Sequence, residues 1–194
     1  STGTPYTPTH FSFGQVAALA QAPAGYLRRL PSPLAADCLN YGVRFNAQRE
    51  DVALLLQQNS QNVLRAATGP TYGRIWNVDV VRALVDRFGD GVSGEWRVPG
   101  EFGREITVDK ANTTLYASDR DMFIFLANEQ NRIVVPNRRD GQPGTLARGF
   151  FVYNSEVGDK KFGVKSFLFD YVCQNRIVWG TEQICSVEIR HTAR

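Results

Sequence analysis

The strongest constraint on the fold is a change of sequence pattern at Gly89. Before this residue, apolar side chains recur mostly at helical spacing. After it, short apolar runs alternate with turns rich in Asp-Gly, Asn, Pro and Gly. Such runs and turns are typical of strands joined by hairpins. Helices followed by a long series of strands predict an α+β fold. We therefore expect short N-terminal helices and one amphipathic helix packed on a large, mostly antiparallel sheet.

Three short helices are predicted near the N-terminus: 13–21 with Ser12 as its cap, a short helix opened by Pro23, and 33–46 with Ser32 as its cap. The clearest helix is 78–88, where apolar residues fall at helical spacing. Asn77 is expected to cap it and Gly89 to end it. Strands are predicted at 51–57, 62–68, 94–98, 105–108, 114–118, 122–127, 133–135, 148–154, 163–171, 175–179 and 184–190.

This pattern predicts two parts within one compact domain. Residues 1–48 form a helical N-terminal unit, and residues 49–194 form an antiparallel sheet domain that contains the helix 78–88. The sequence ends with His191-Thr-Ala-Arg194 directly after a predicted strand, without a turn or cap. We therefore expect the chain to be a fragment of a longer protein.

The composition excludes several classes of protein. No apolar run approaches the ~20 residues that a membrane helix requires. The three cysteines are isolated from one another, which argues against disulfides and zinc sites and fits a reducing cytoplasm. Both Cys173 and Cys185 are expected to be buried. Asp119 and Asp121 fit a hairpin turn better than a metal site, and no phosphate-binding loop is present. No cofactor or metal is expected.

Basic residues are concentrated in the later strands and turns of this mildly basic chain, whose net charge is +3. Two hairpin tips carry Arg138-Arg139 and Lys160-Lys161. Cations beside accessible aromatic rings suit single-stranded nucleic acid, because they neutralise phosphates while the rings stack on bases. The candidate phosphate contacts are Arg138, Arg139, Arg148, Lys160, Lys161 and Lys165. Tyr153, Phe162 or Tyr72 are the candidate stacking rings, and Phe167 is expected near the same patch. Solvated turns around core aromatics are the alternative interpretation.

A second group of polar residues follows two apolar strands. Asn154, Ser155 and Glu156 end one strand, and Asn175 follows another. With His191 they form a candidate enzymatic centre in which Glu156 or His191 is the acid or base. The same residues also suit a hairpin turn, because Asn and Ser side chains bond to nearby backbone groups.

These residues resemble the family known as domain of unknown function 932. The similarity lies in Asn154-Ser-Glu-Val-Gly158, in the segment from Phe167 to Asn175, and in Arg190-His-Thr192. Further upstream it includes the segments 63–68 and 77–81, Tyr72, Gly14-Gln15 and Pro23 to Leu27. Family members often have Asn-Gly where this chain has Asn175-Arg176. The resemblance implies a phage or plasmid setting and carries no established activity.

The resulting hypothesis is a cytoplasmic nucleic-acid-binding protein of a phage or plasmid, which binds DNA or RNA single strands during recombination or replication. It is expected to lie outside the membrane and to be capable of forming a homo-oligomer. Two alternatives stay open. One is a small-molecule or hydrolytic enzyme that uses the polar strand ends, and the other is a protein-binding module that counters a host factor.

Overall fold

The polypeptide forms two units in the computed structural model, which describes residues 4–46, 51–98, 115–136, 144–170 and 183–192. The first unit comprises residues 1–74 and 192–194, and the second comprises residues 75–191. The predicted strands 105–108 and 175–179 lie outside the described residues. So do Arg138, Arg139, Cys173 and Asn175.

Within its described ranges, the first unit combines three helices with a three-stranded sheet. Its elements are β1 (Thr7–Pro8), α1 (His10–Leu19), α2 (Ala24–Leu27), α3 (Ser32–Phe45), β2 (Ala53–Gln58) and β3 (Asn62–Thr68). The strand order is β1-β3-β2. β2 and β3 form the predicted antiparallel hairpin, and β1 runs parallel to β3.

The hairpin β2–β3 belongs with the helices because α1 is bonded to β3. The Ser12 hydroxyl donates to the carbonyl of Leu64 at 2.6 Å. The Gln15 side chain accepts a hydrogen bond from the backbone N–H of Ala67 at 2.9 Å. The prediction that Ser12 caps α1 is wrong. Thr9 holds the cap position and its side chain accepts from the backbone N–H of Ser12, because the helix begins at His10.

The described residues of the second unit form one helix and a six-stranded sheet. Its elements are α4 (Asn77–Phe88), β4 (Trp96–Arg97), β5 (Leu115–Ala117), β6 (Met122–Val135), β7 (Gly144–Asn154), β8 (Phe162–Asp170) and β9 (Gln183–Ile189). The order is β4-β6-β7-β8-β9, with β5 also paired to β6, and every pair is antiparallel. The α+β prediction is confirmed. The segments predicted as two strands, 122–127 and 133–135, form one strand with an irregularity between Asn128 and Ile133.

One face of this sheet forms the core with α4. Its buried side chains are Val80 from the helix with Val98, Met122, Ile124, Leu126, Phe150 and Val152. Burial of each large apolar side chain contributes about 1.5–3 kcal/mol of transfer free energy. Phe88 of the helix contacts Phe150 of β7, with ring centroids 4.7 Å apart. The core therefore fixes where the sheet lies against α4.

The start of α4 differs from the prediction. Asn77 is the first helical residue and Trp76 occupies the cap position without a side-chain hydrogen bond. A tertiary contact replaces the local cap, as described below. The predicted end is confirmed, because Gly89 follows the helix with a φ of 86°, a conformation that favours glycine. For α3, Ser32 likewise lies inside the helix and Pro31 precedes it without a side-chain cap.

Candidate nucleic-acid interface

The polar residues at the end of β7 are buried and bonded to the start of α4. Glu156 accepts the backbone N–H of Asn77 at 2.8 Å. The amide of Asn154 donates to the carbonyl of Ile75 at 2.9 Å and to the side-chain oxygen of Asn77 at 2.7 Å. Glu156 therefore supplies the acceptor that the sequence around α4 lacks, in the way that acidic groups stabilise helix starts. Asn154 holds Ile75 and Asn77 in place beside it through its two donated bonds.

Ser155 points in a different direction and holds two turns together. Its hydroxyl donates to the carbonyl of Arg120 at 2.6 Å and accepts the backbone N–H of Asp159 at 3.0 Å. The hydroxyl proton is donated to a carbonyl, whereas the proton of an activated serine nucleophile is donated to a base. The observed hydrogen bonds of Asn154, Ser155 and Glu156 are thus bonds of a structural junction.

The same two turns exchange ion pairs. Arg120 contacts Asp159 with a nitrogen–oxygen distance of 2.8 Å, and Lys160 contacts Asp121. Hydrogen bonds from Lys160 and Ser118 lower the pKa of Asp121, and they outweigh the larger opposing effect of burial. The predicted turn at Asp119 and Asp121 therefore has a tertiary role. Lys160, a predicted phosphate contact, has a carboxylate partner.

The second face of the sheet carries a row of aromatic rings. We call it the aromatic face and define it by Phe123, Phe125, Phe151, Tyr153 and Phe167. Neighbouring strands pair Phe123 with Tyr153 and Phe125 with Phe151, so these side chains share one face. The Phe125 and Phe167 rings stack with centroids 5.1 Å apart, and Phe123 and Phe151 are 5.2 Å apart. Phe125 and Phe167 are buried, whereas Phe123, Phe151 and Tyr153 are half-exposed.

At the β9 side of this face, Tyr153 crosses β8 to reach Glu188. Register places Gly163 between them, and a Cβ atom on Gly163 would lie 2.3 Å from the Tyr153 ring. The absence of that atom lets the Tyr153 hydroxyl donate to Glu188 at 2.5 Å. Lys161 donates to the other carboxylate oxygen at 2.9 Å. Loss of solvation and this carboxylate together raise the pKa of Tyr153 to about 12.

Lys165 lies on the same face, opposite Phe151 in the β7–β8 register. Its ammonium nitrogen is 5.9 Å from the centroid of the Tyr153 ring, within cation–π range. Hydrogen bonds from Tyr153 and Lys161, together with the nearby Lys165 charge, lower the pKa of Glu188. Tyr153, Lys161 and Lys165 are therefore the predicted site residues that the structure brings together.

Arg148 lies on the opposite face of the sheet. It alternates with Phe150 and Val152 along β7 and pairs with Asn128 of β6, so its exposed side chain leaves from the α4 face. Phe162 also packs against the core on that face. Both residues are separated from Tyr153 and Lys165 by the thickness of the sheet.

His191 is buried just after β9. Tyr72 belongs to the first unit, where the guanidinium of Arg74 lies 5.2 Å from its ring centroid. Cys185 is exposed, so its predicted burial is wrong, because β9 has one described strand neighbour and presents this residue to solvent. In α3, the apolar residues Leu34, Tyr41 and Phe45 fall on one side of the helix and are exposed.

The described residues contain no cluster of three or more His, Cys, Asp or Glu side chains able to hold a metal ion. Across those same ranges, no helix is both long enough and apolar enough to span a membrane. Comparison of the chain with protein-family models, curated proteins and solved structures found no match.

The aromatic face was not predicted, although the sequence contains a pattern that indicates it. Aromatic residues alternate in Phe123-Ile-Phe125, in Phe151-Val-Tyr153 and in Phe167-Leu-Phe169. Period-two spacing on three strands places rings on one face wherever the registers agree. Glu188 and Gly163 had no such local signal, because their importance depends on cross-strand pairing with Tyr153.

Proposed function

We propose that this protein binds single-stranded nucleic acid on the aromatic face. One observation supports the proposal most strongly: Lys165 lies beside the half-exposed ring of Tyr153, next to the half-exposed rings of Phe151 and Phe123. Proteins that bind single strands combine cations for the phosphates with aromatic rings on which unpaired bases stack. An antiparallel sheet presents such rings side by side on one face when the strand registers align them.

The charges near Tyr153 suit a phosphate at one position. Lys161 and Lys165 carry two positive charges and Glu188 carries one negative charge, which leaves one net positive charge in this group. Glu188 already holds Lys161 through a 2.9 Å hydrogen bond. Lys165 is therefore the cation that we assign to a phosphate, and Lys160 is left out because Asp121 is its partner.

The rings of Phe123 and Phe151 are the proposed stacking surface. Stacking on an aromatic ring contributes about 1–3 kcal/mol per base, which corresponds to about 5-fold to 150-fold in affinity. Duplex bases are already stacked on each other, so a duplex of the same sequence should bind more weakly. A phage or plasmid setting and a cytoplasmic location are part of this proposal, and they come from the family resemblance and the isolated cysteines.

The test is fluorescence anisotropy with a labelled oligothymidine longer than the ~4–16 nucleotides that one binding domain covers. Replacing Phe123→Leu and Phe151→Leu together retains apolar side chains in the sheet while removing the aromatic rings. We expect affinity to fall at least ~5-fold at about 50 mM salt. The matched control is Tyr41→Leu in α3, an aromatic residue that is 63% exposed in the first unit. It should leave affinity unchanged.

Two results would count against the proposal. The first is the absence of oligonucleotide binding by the unmodified chain at this low salt concentration. The second is equal affinity of the double leucine variant and the unmodified chain, provided that urea unfolding shows both to be folded.

A further inference from the structure

Strand β9 forms one edge of the six-stranded sheet described for the second unit, and its described side chains are exposed to solvent. Among the described strands it pairs with β8 alone. Residues 185–190 are all exposed, and Val187 retains 51% of its accessible surface. An open edge presents unpaired backbone N–H and C=O groups that can accept another strand.

Natural edge strands are usually protected by charges, prolines, bulges or short length. The segment Gln183-Ile-Cys-Ser-Val-Glu-Ile189 contains no proline and a single charged residue, Glu188. The register irregularity in its pairing with β8 lies before Cys185 and leaves 185–189 regular. That charge is directed inward over its own sheet. Its two oxygens accept from Tyr153 at 2.5 Å and from Lys161 at 2.9 Å, and both donors lie on the β8 side of β9. Glu188 therefore does not place a charge where it would prevent another strand from pairing with β9.

We propose that β9 pairs antiparallel with β9 of a second copy of this chain, so that two sheets join into one. The regularly paired part of β9 runs from Cys185 to Ile189, opposite Ser166 to Phe162, and its midpoint is Val187. A two-fold axis through that midpoint places Val187 opposite Val187 of the second copy. It also places Cys185 opposite Ile189 and Ser186 opposite Glu188.

The self-pairing is complementary in this register. Apolar residues meet apolar residues on the face that carries Val187, and each Glu188 meets a serine rather than the other glutamate. A register shifted to centre on Glu188 would oppose two like charges, which is destabilising. The same edge in both copies is what a two-fold symmetric interface requires. Dimerisation through β9 is independent of nucleic-acid binding.

Sedimentation velocity over a range of protein concentrations tests this proposal. We expect the unmodified chain to dimerise and Val187→Lys to weaken the dimer at least tenfold, because a lysine ammonium would be opposed by another one. Val85→Lys is the matched control, since Val85 is 48% exposed and belongs to α4 rather than to a strand of the sheet. It should leave the dimer unchanged.

Cross-linking then tests the register in a background with Cys38→Ser, Cys173→Ser and Cys185→Ser. Opposed Cα atoms are about 4.5–5.5 Å apart, within disulfide range, so Val187→Cys should oxidise to a covalent dimer. The two Ile189 positions are offset by about 13 Å along the strands, so Ile189→Cys should not. A chain that stays monomeric, a dimer insensitive to Val187→Lys, or equal cross-linking of the two cysteine variants would overturn the proposal.

Discussion

Glu156 accepts the first backbone N–H of α4, from Asn77, across 79 positions of sequence at a distance of 2.8 Å. Glu156, one of the two residues predicted as an acid or base, is thus buried at a helix start that has no local side-chain cap. Asn154 bonds to the side chain of Asn77 and to the backbone of Ile75 at the same place. This junction joins β7 to α4 inside the second unit.

Replacing Glu156→Ala should lower the free energy of unfolding by about 1–3 kcal/mol, because it leaves the Asn77 N–H without its acceptor. Glu156→Gln should cost less, since its amide oxygen can still accept. Urea unfolding at neutral pH measures both changes. Equal stability of Glu156→Ala and the unmodified chain would contradict the capping role.

Replacing Asn154→Asp should destabilise the protein by more than about 3 kcal/mol, because a buried charge loses two hydrogen bonds. The Asn154 amide is a donor to two oxygens, and a carboxylate in its place would face both as a third acceptor. The matched control is Asn59→Asp, at an exposed residue whose side-chain oxygen accepts the backbone N–H of Gln61, a bond that a carboxylate can keep. Thermal unfolding should show a much larger fall in melting temperature for Asn154→Asp than for the control. Similar falls in the two variants would argue against the donor role of Asn154.

Replacing Gly163→Ala should displace the Tyr153 ring, because the new methyl group would lie 2.3 Å from a ring carbon. The hydrogen bond to Glu188 would then be lost, and the pKa of Tyr153 should fall from about 12 toward the ordinary value of 10. Titration of the tyrosine ring signals by NMR measures the change. An unaltered Tyr153 pKa in this variant would show that the raised pKa does not depend on the passage of the Tyr153 ring over Gly163.

The pKa of Tyr153 also predicts the direction of a pH effect on stability. A group whose pKa is raised in the folded state stabilises fully below its unfolded pKa and loses that contribution as pH rises through the folded value. The contribution of Tyr153 should therefore be complete below pH 10 and disappear as pH approaches about 12. Tyr153→Phe should flatten this part of the stability curve.

Asp90 should contribute to stability with the opposite pH dependence. Its carboxylate accepts hydrogen bonds from the backbone of Ser93, the hydroxyl of Ser93 and the backbone of Val92, which lower its pKa from 3.8 to about 2. The contribution is present above the unfolded pKa and is lost as pH falls from about 4 to about 2. Carboxyl NMR titration should show this low pKa, and Ser93→Ala should raise it. An ordinary pKa in the unmodified chain would contradict the turn geometry.

Elements whose position depends on neighbouring residues were predicted correctly from the sequence. Contacts between residues far apart in the sequence were not predicted. Helix α4 was located by its apolar spacing and by Gly89, both local signals. Its capping by Glu156 was missed because the two residues meet only after β7 packs beside the helix start. Alternation along β7 separates Arg148 from Tyr153, but the pairing of Phe151 with Lys165 depends on register. Register is set by the packed face and the turns together, so the composition of the aromatic face could not be fixed in advance.

The most direct test of the central proposal compares two basic residues on opposite faces of one sheet. Oligothymidine affinity should be measured across a salt series for the unmodified chain, Lys165→Ala and Arg148→Ala. If single strands bind the aromatic face, Lys165→Ala should weaken binding and reduce the slope of log affinity against log salt by about 1, while Arg148→Ala changes neither. Equal effects of the two substitutions, or a larger effect of Arg148→Ala, would contradict the proposal.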